Sequence, residues 1–323
     1  MRGERSMVPE VEVEPFESYY GRQIIKTPTW KTPDVPLYLF LGGLAGSSAL
    51  LAEGAALSGN VPLERFARLV AAGGAGVGTV FLVHDLGRPA RFLNMLRVFK
   101  VTSPLSVGSF ILAPFASFSS AAAAAQVTGR LPRLGRLAGV GAAAFGAPLV
   151  TYTAALFANT AVPAWHTARR ELPFVFAGSG AAAAGGLVMV ALPVAAGEPG
   201  RRLALTGALL ELSSVQVMEQ RLGMVAEPYR QGRSGALMSL ARACTLGAVS
   251  LTLLGRRSRA ARAVAGAAYV AGSVVTRFGV FEAGLASARD PKYTVVPQRE
   301  RLRAEAEAEA EARTGAATGA EGS

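Results

Sequence analysis

LVAAGGAGVGTVFLVHDLGRPARFLNMLR, residues 69–97, begins as an unbroken apolar run and ends as a dense set of polar groups. With its flank back to residue 64, the apolar half reaches the roughly 20 residues that carry a helix across the hydrocarbon core of a bilayer. A helix is the form this run must take in lipid, because every backbone N–H has to be satisfied within its own segment. Polar groups crowded at the mouth of a membrane helix are expensive to place there and mark where such a protein acts.

The same pattern recurs along the chain. Apolar segments lie at approximately 36–57, 64–83, 104–127, 134–159, 172–196, 202–226, 235–255 and 260–284. The expected fold is therefore an all-α integral membrane protein with eight transmembrane helices; the sixth is the most polar, since it holds Glu211 and Glu219. The first 35 residues are charged and contain prolines, with no apolar core of the length that a cleavable signal needs, so the first helix is expected to act as the insertion signal.

The net charge of +11 raises nucleic acid as a partner, but the arginines fall in short loops between apolar runs (Arg130, Arg133, Arg136; Arg256, Arg257, Arg259, Arg262). Membrane topology accounts for that placement better than phosphate binding does. Cys244 is the only cysteine and sits within an apolar run, which excludes a disulfide framework and an iron–sulfur cluster held by four thiolates. His84 and His166 are the only histidines, both at helix ends, whereas a membrane haem needs facing ligands inside the bilayer. Neither a metal site nor a haem is expected in this chain.

Residues 1–35 read as an extended N-terminal arm, stiffened by Pro9, Pro15, Pro28 and Pro33 and carrying Tyr19, Tyr20 and Trp30. Such an arm either docks on a partner, lies at the membrane interface, or is a plain tail. Residues 285–323 form the C-terminal tail: the Ala-Glu alternation from Arg303 to Arg313 favours a solvated helix, and disorder is expected from about 305 onward. A weak repeat superposes Tyr38–Gly43 on Phe174–Ser179 and, at the same offset, Leu86-Gly87 on Leu222-Gly223, which suggests two parallel four-helix halves, 36–159 and 172–284, joined by the loop 160–171. Gly42 with Gly46, Gly74 with Gly78 and Gly135 with Gly139 have the small-xxx-small spacing of close helix contacts.

HDLGRPARFLNMLRVFK (84–100) followed by TSPLSVGS (102–109) resembles the loop after the second membrane helix in the NrfD/PsrC family, the quinone-reactive membrane subunits of polysulfide-reductase-like complexes. The stretches 19–51, 152–186 and 277–301 resemble the same family, so the likeness covers most of the chain. It implies two four-helix bundles, a bound menaquinone or quinol, and two partners: a ferredoxin-like iron–sulfur subunit and a molybdopterin oxidoreductase catalytic subunit.

Quinone chemistry needs hydrogen-bond partners for two ring oxygens and a group that exchanges protons near neutral pH. Histidine titrates in that range and a carboxylate beside it can hold its proton, so His84 and Asp85 are the candidate catalytic pair. The alternative is that Asp85 pairs with Arg88 or Arg91 and only caps the loop. The resemblance favours the first reading, because the family's Asp-Leu-Gly-Arg-Pro segment lies close to the quinone on the side that receives the iron–sulfur partner. Tyr152 joins the quinone-binding set because the family's pocket includes a tyrosine from the corresponding helix, and Tyr38 joins it as a second tyrosine at that membrane face; both are otherwise ordinary interfacial aromatics. Arg88, Arg91, Trp165, His166, Arg169 and Arg170 are candidates to receive an acidic partner surface, or arginines that merely set topology.

Charged side chains inside the bilayer must pair, reach an interface or face the interior. Glu219 and Glu282 are expected to pair with Arg221 and Arg277, which leaves Glu53, Glu211 and Arg242 as the candidate proton path. A respiratory membrane subunit is the expected function, in the plasma membrane; a secondary transporter and a bare anchor without quinone are the alternatives. The four short loops opposite the His84 face each contain or adjoin an arginine, which places that opposite face in the cytoplasm and the site outside.

Overall fold

A computed structural model describes residues 24–255 and 258–320, so Tyr19 and Tyr20 of the arm and Arg256 and Arg257 lie outside the described residues. Among the described residues there are helices and no strand. The long ones are α1 (Asp34–Leu57), α2 (Val61–Leu86), α3 (Pro104–Thr128), α4 (Pro132–Ala158), α5 (Leu172–Ala191), α6 (Val194–Arg221), α7 (Gly232–Leu254), α8 (Arg259–Arg289) and α9 (Lys292–Ala320). Seven of them, α1 to α5, α7 and α8, are long and apolar enough to cross a membrane. The length of α6 suffices, but Glu198, Arg201, Arg202, Glu211, Glu219 and Arg221 lower its hydropathy.

The helix ends follow from local chemistry. The Asn60 side chain accepts the Leu63 N–H at 3.3 Å and caps α2, and Ser103 and Ser258 do the same for α3 and α8. At the other end of α2, Gly87 adopts φ +72°, a left-handed turn that releases the chain into the polar loop.

The largest departure from the expected boundaries is between α5 and α6. The sequence suggests a break near Gly197–Gly200 with spans at 172–196 and 202–226, yet α5 stops at Ala191 and α6 already begins at Val194. Pro193 is the cause: the residue before a proline is pushed out of the helical region, and Leu192 is extended at ψ 153°. Pro199, the rival breaker, is absorbed inside α6. The tail also differs, since helix α9 continues to Ala320 past the point where disorder is expected; its Ala, Glu and Arg residues are strong helix formers.

Helices α1, α2, α3 and α4 pack on one another, and α5, α6, α7 and α8 pack among themselves, while α1 and α4 meet α5 between the two groups. The first helices of the two repeated segments touch backbone to backbone: a Cβ on Gly180 would stand 2.8 Å from the Gly43 carbonyl oxygen. The Gly-xxx-Gly pairs also lie at contacts, Gly42 and Gly46 toward α4, Gly74 and Gly78 toward α1. Because successive long helices are joined by short connections and alternate in direction, the loops 87–103, 159–171 and 222–231 gather with the end of the arm at one end of the molecule.

Candidate functional site

Asp34 opens α1 and His84 lies in the last turn of α2, and the antiparallel packing of these helices brings the two together. His84 Nδ1 stands 2.6 Å from Asp34 Oδ2; the carboxylate is buried at 6 % exposure while the imidazole is 70 % exposed. One nitrogen is thus held by a fixed acceptor, and Nε2 is the second proton-exchanging atom on a ring open to the outside. The carboxylate that orients His84 is Asp34, not the adjacent Asp85. Asp85 Oδ1 instead accepts the Lys31 backbone N–H at 2.9 Å, and the Lys31 ammonium donates to the His84 carbonyl at 3.1 Å. The expected alternative pairing with arginine does not occur in that form: Arg91 donates to the Leu86 carbonyl at 3.0 Å.

Tyr38 follows Asp34 by four residues, one turn along the same face of α1, and is buried. Tyr152 comes from α4, which packs on α1, and is also buried. Its hydroxyl donates to the Pro104 carbonyl at 2.7 Å in the first turn of α3. Gly108 makes this seat, since a Cβ there would overlap the Tyr152 ring. Asp34, Tyr38, His84 and Tyr152 therefore converge from three helices at one mouth of the first group, with Asp85 beside them.

Arg88, Arg91, His166, Arg169 and Arg170 are exposed on the same end of the molecule, where their charge is open to a partner. Trp165 corrects the expectation of an aromatic anchor for that partner, because its side chain is fully buried. The indole stacks on Phe157 at 4.3 Å between ring centres and on Trp30 at 5.5 Å, and donates to the Val280 carbonyl at 2.7 Å. Its position is explained by the short helix Pro163–Thr167, which folds back over the junction of α4 and α8. Trp165 thus clamps the arm, the 159–171 loop and α8 together.

The buried charges are partnered differently from expectation. Glu219 pairs with Arg230 at 3.1 Å and with Arg242 at 2.6 Å, Arg221 with Glu171, and Glu282 faces Arg233 at 3.9 Å. Arg277 lies fully buried between the two helix groups, donates to the Phe176 carbonyl at 2.9 Å and covers the Phe176 ring at 3.9 Å. Glu282 does not meet Arg277 as expected, because five residues along a helix place them about 140° apart around its axis. Glu211 accepts from Thr276 at 2.7 Å in the field of Arg277. It also lines one small crevice with Arg242, Met238 and Thr245. Glu53 is in the other group, 3.3 Å from Arg136 and beside the buried Arg68, so the structure does not bring Glu53 and Glu211 together.

Asp34, the residue that sequence reasoning missed, had one readable signal: an acidic residue opening the first apolar helix, four positions before Tyr38. A family model described as Polysulphide reductase, NrfD, matches residues 25–226, more than half of the chain. No curated protein matches it.

Proposed function

Because the chain belongs to the polysulphide reductase NrfD family, we propose that it is the quinone-reactive subunit of a respiratory oxidoreductase complex, exchanging electrons with a partner iron–sulfur protein of a molybdopterin enzyme. Membership and seven apolar helices make it a multi-pass membrane protein. In the proposed arrangement helices α1 to α8 cross the plasma membrane as two four-helix bundles, α6 with Glu211 buried inward and its other charged residues near its two ends. The domain division is an arm over 1–35, bundles over 36–159 and 172–284, and a tail from 285.

The observation that carries the reading is the Asp34–His84 pair, a proton-exchanging ring on a buried carboxylate, with two phenols one layer below. Menaquinone or its quinol supplies two-electron, two-proton chemistry when bound. The residues fit that group: His84 and Asp85 lie at the mouth, the Tyr38 hydroxyl is the donor toward a ring oxygen, and the Tyr152 oxygen, whose proton goes to the Pro104 carbonyl, accepts from a quinol hydroxyl. His84 takes or gives the proton through Nε2, and Asp34 stabilises the imidazolium that forms. Asp85, fixed by one oxygen to the arm, supplies a second carboxylate. Arg88, Arg91, His166, Arg169 and Arg170 receive an acidic partner, whose redox centre comes close to the quinone. Glu211 and Arg242, which line one crevice, are the proposed proton path, with Glu53 standing apart in the other group, and the site face is extracytoplasmic by the arginines in and beside the opposite loops.

The test is a double-mutant cycle on quinol-linked turnover of the assembled complex. Asp34→Asn and His84→Gln should each lower turnover by about 100-fold, the usual scale of a lost acid–base group, and the double variant should lose little more. Additive losses would mean the two residues do not act as one unit, and unchanged turnover in both would place proton exchange elsewhere.

A further inference from the structure

On the side of the molecule away from His84, an apolar groove of about 680 Å³ runs between the two helix groups. Its walls come from α1, α4, α5 and α6, with Leu50, Val150, Ala181, Leu203 and Leu210 among the lining side chains. Arg202 lies on its rim. A groove of this composition in a membrane protein presents to lipid, so the acyl part of its occupant is set by surroundings; the headgroup is set by charge.

That charge is unbalanced. Glu198 is a single carboxylate shared by three guanidinium groups: Arg201 at 2.6 Å, Arg202 at 3.5 Å and Arg262 at 3.6 Å. Arg201 and Arg262 are buried, at 10 % and 1 % side-chain exposure, and Arg201 holds Glu198 in the closest geometry. Arg202 is 76 % exposed and receives only what is left of the carboxylate. Among the described residues the cluster therefore carries a surplus of two positive charges, and its exposed guanidinium is that of Arg202, at the end of the apolar groove. Basic positions between membrane helices are recognised sites for anionic headgroups.

We propose that this groove is a binding site for one anionic phospholipid, with a phosphate on Arg202 and an acyl chain laid along the seam between the two helix groups. Binding there ties the groups together without involving the His84 site, so the lipid acts on stability and leaves quinone chemistry to the other face.

Delipidated protein in neutral detergent is titrated with phosphatidylglycerol, phosphatidylcholine or inorganic phosphate, and bound lipid is counted by native mass spectrometry alongside the thermal midpoint. Phosphatidylglycerol should be retained in preference to phosphatidylcholine by roughly fivefold, the effect of one basic residue at an anionic headgroup, and should raise the midpoint where phosphate alone does not. Arg202→Gln should erase the preference, and Leu50→Trp, which fills the groove from an exposed position, should abolish retention of both lipids. Equal retention of the two lipids by the wild type overturns the proposal, as does protection by inorganic phosphate alone or displacement of the lipid by menaquinone. The wild-type comparison needs no variant to fold.

Discussion

Tyr152 shows how one missing methyl group makes room for a ring at the proposed quinone site. The ring occupies the space that any Cβ at position 108 would need, and its hydroxyl reaches Pro104 only because α3 lets it approach so closely. Gly108→Ala is therefore expected to cost about 1–3 kcal/mol of stability through overpacking and to weaken quinone binding by displacing the phenol. A second substitution separates the two effects: adding Tyr152→Ala should restore the thermal midpoint without restoring binding. If Gly108→Ala alone leaves both the midpoint and inhibitor affinity unchanged, the phenol has another place to go and the site does not depend on it.

At the scale of elements, the meeting of α1 and α5 at Gly43 and Gly180 is what holds the two groups at their spacing. Gly180→Leu in α5 should push the helices apart and lower the thermal midpoint sharply, while Gly54→Leu in α1, with open space around it, should be nearly neutral. Equal midpoints for the two would show that the seam is loose. This seam also marks the limit of what the sequence discloses. The long helices are legible because a bilayer demands long apolar runs, and the glycine spacings point correctly to contacts. The end of α5 is not, because Pro193 and Pro199 are equivalent breakers on paper and only packing decides that Pro199 is absorbed into α6. The site divides in the same way: His84 is visible through its neighbours in sequence, but Asp34 reaches it from fifty residues away through the pairing of two helices. Trp165 reads as a surface anchor because tryptophan in a polar loop usually is one, and the fold-back of Pro163–Thr167 that buries it leaves no local periodic trace.

For the molecule as a whole, the tail helix is held to the body by a pH-sensitive contact. The Lys292 ammonium and the Tyr293 hydroxyl both donate to Glu227, at 2.8 and 3.1 Å. Those donors hold the Glu227 carboxyl below the usual carboxylate range, Lys292 first and Tyr293 second, while Glu227 in turn raises Lys292. A depressed carboxyl contributes attachment that is present above its ordinary pKa and is lost as pH falls through the lowered folded value; the raised lysine keeps its charge through its ordinary range as pH rises. Hydrogen exchange over residues 291–300 should thus be slow and flat from neutral pH upward, after correction for intrinsic rates, and rise below the ordinary carboxylate range. Glu227→Gln should remove that acid limb, and a limb that persists would assign it to another group. The stack of Trp30 on Phe157 and Trp165 carries a different consequence, in the order of biogenesis. Asp34 and His84 can meet as soon as α2 leaves the ribosome, but the seat for Trp30 does not exist until α4 and the turn after it have been made. The segment that carries Trp30 is synthesised before the rings it packs against, so in a nascent chain Trp30 stays unseated until the first half of the molecule is complete.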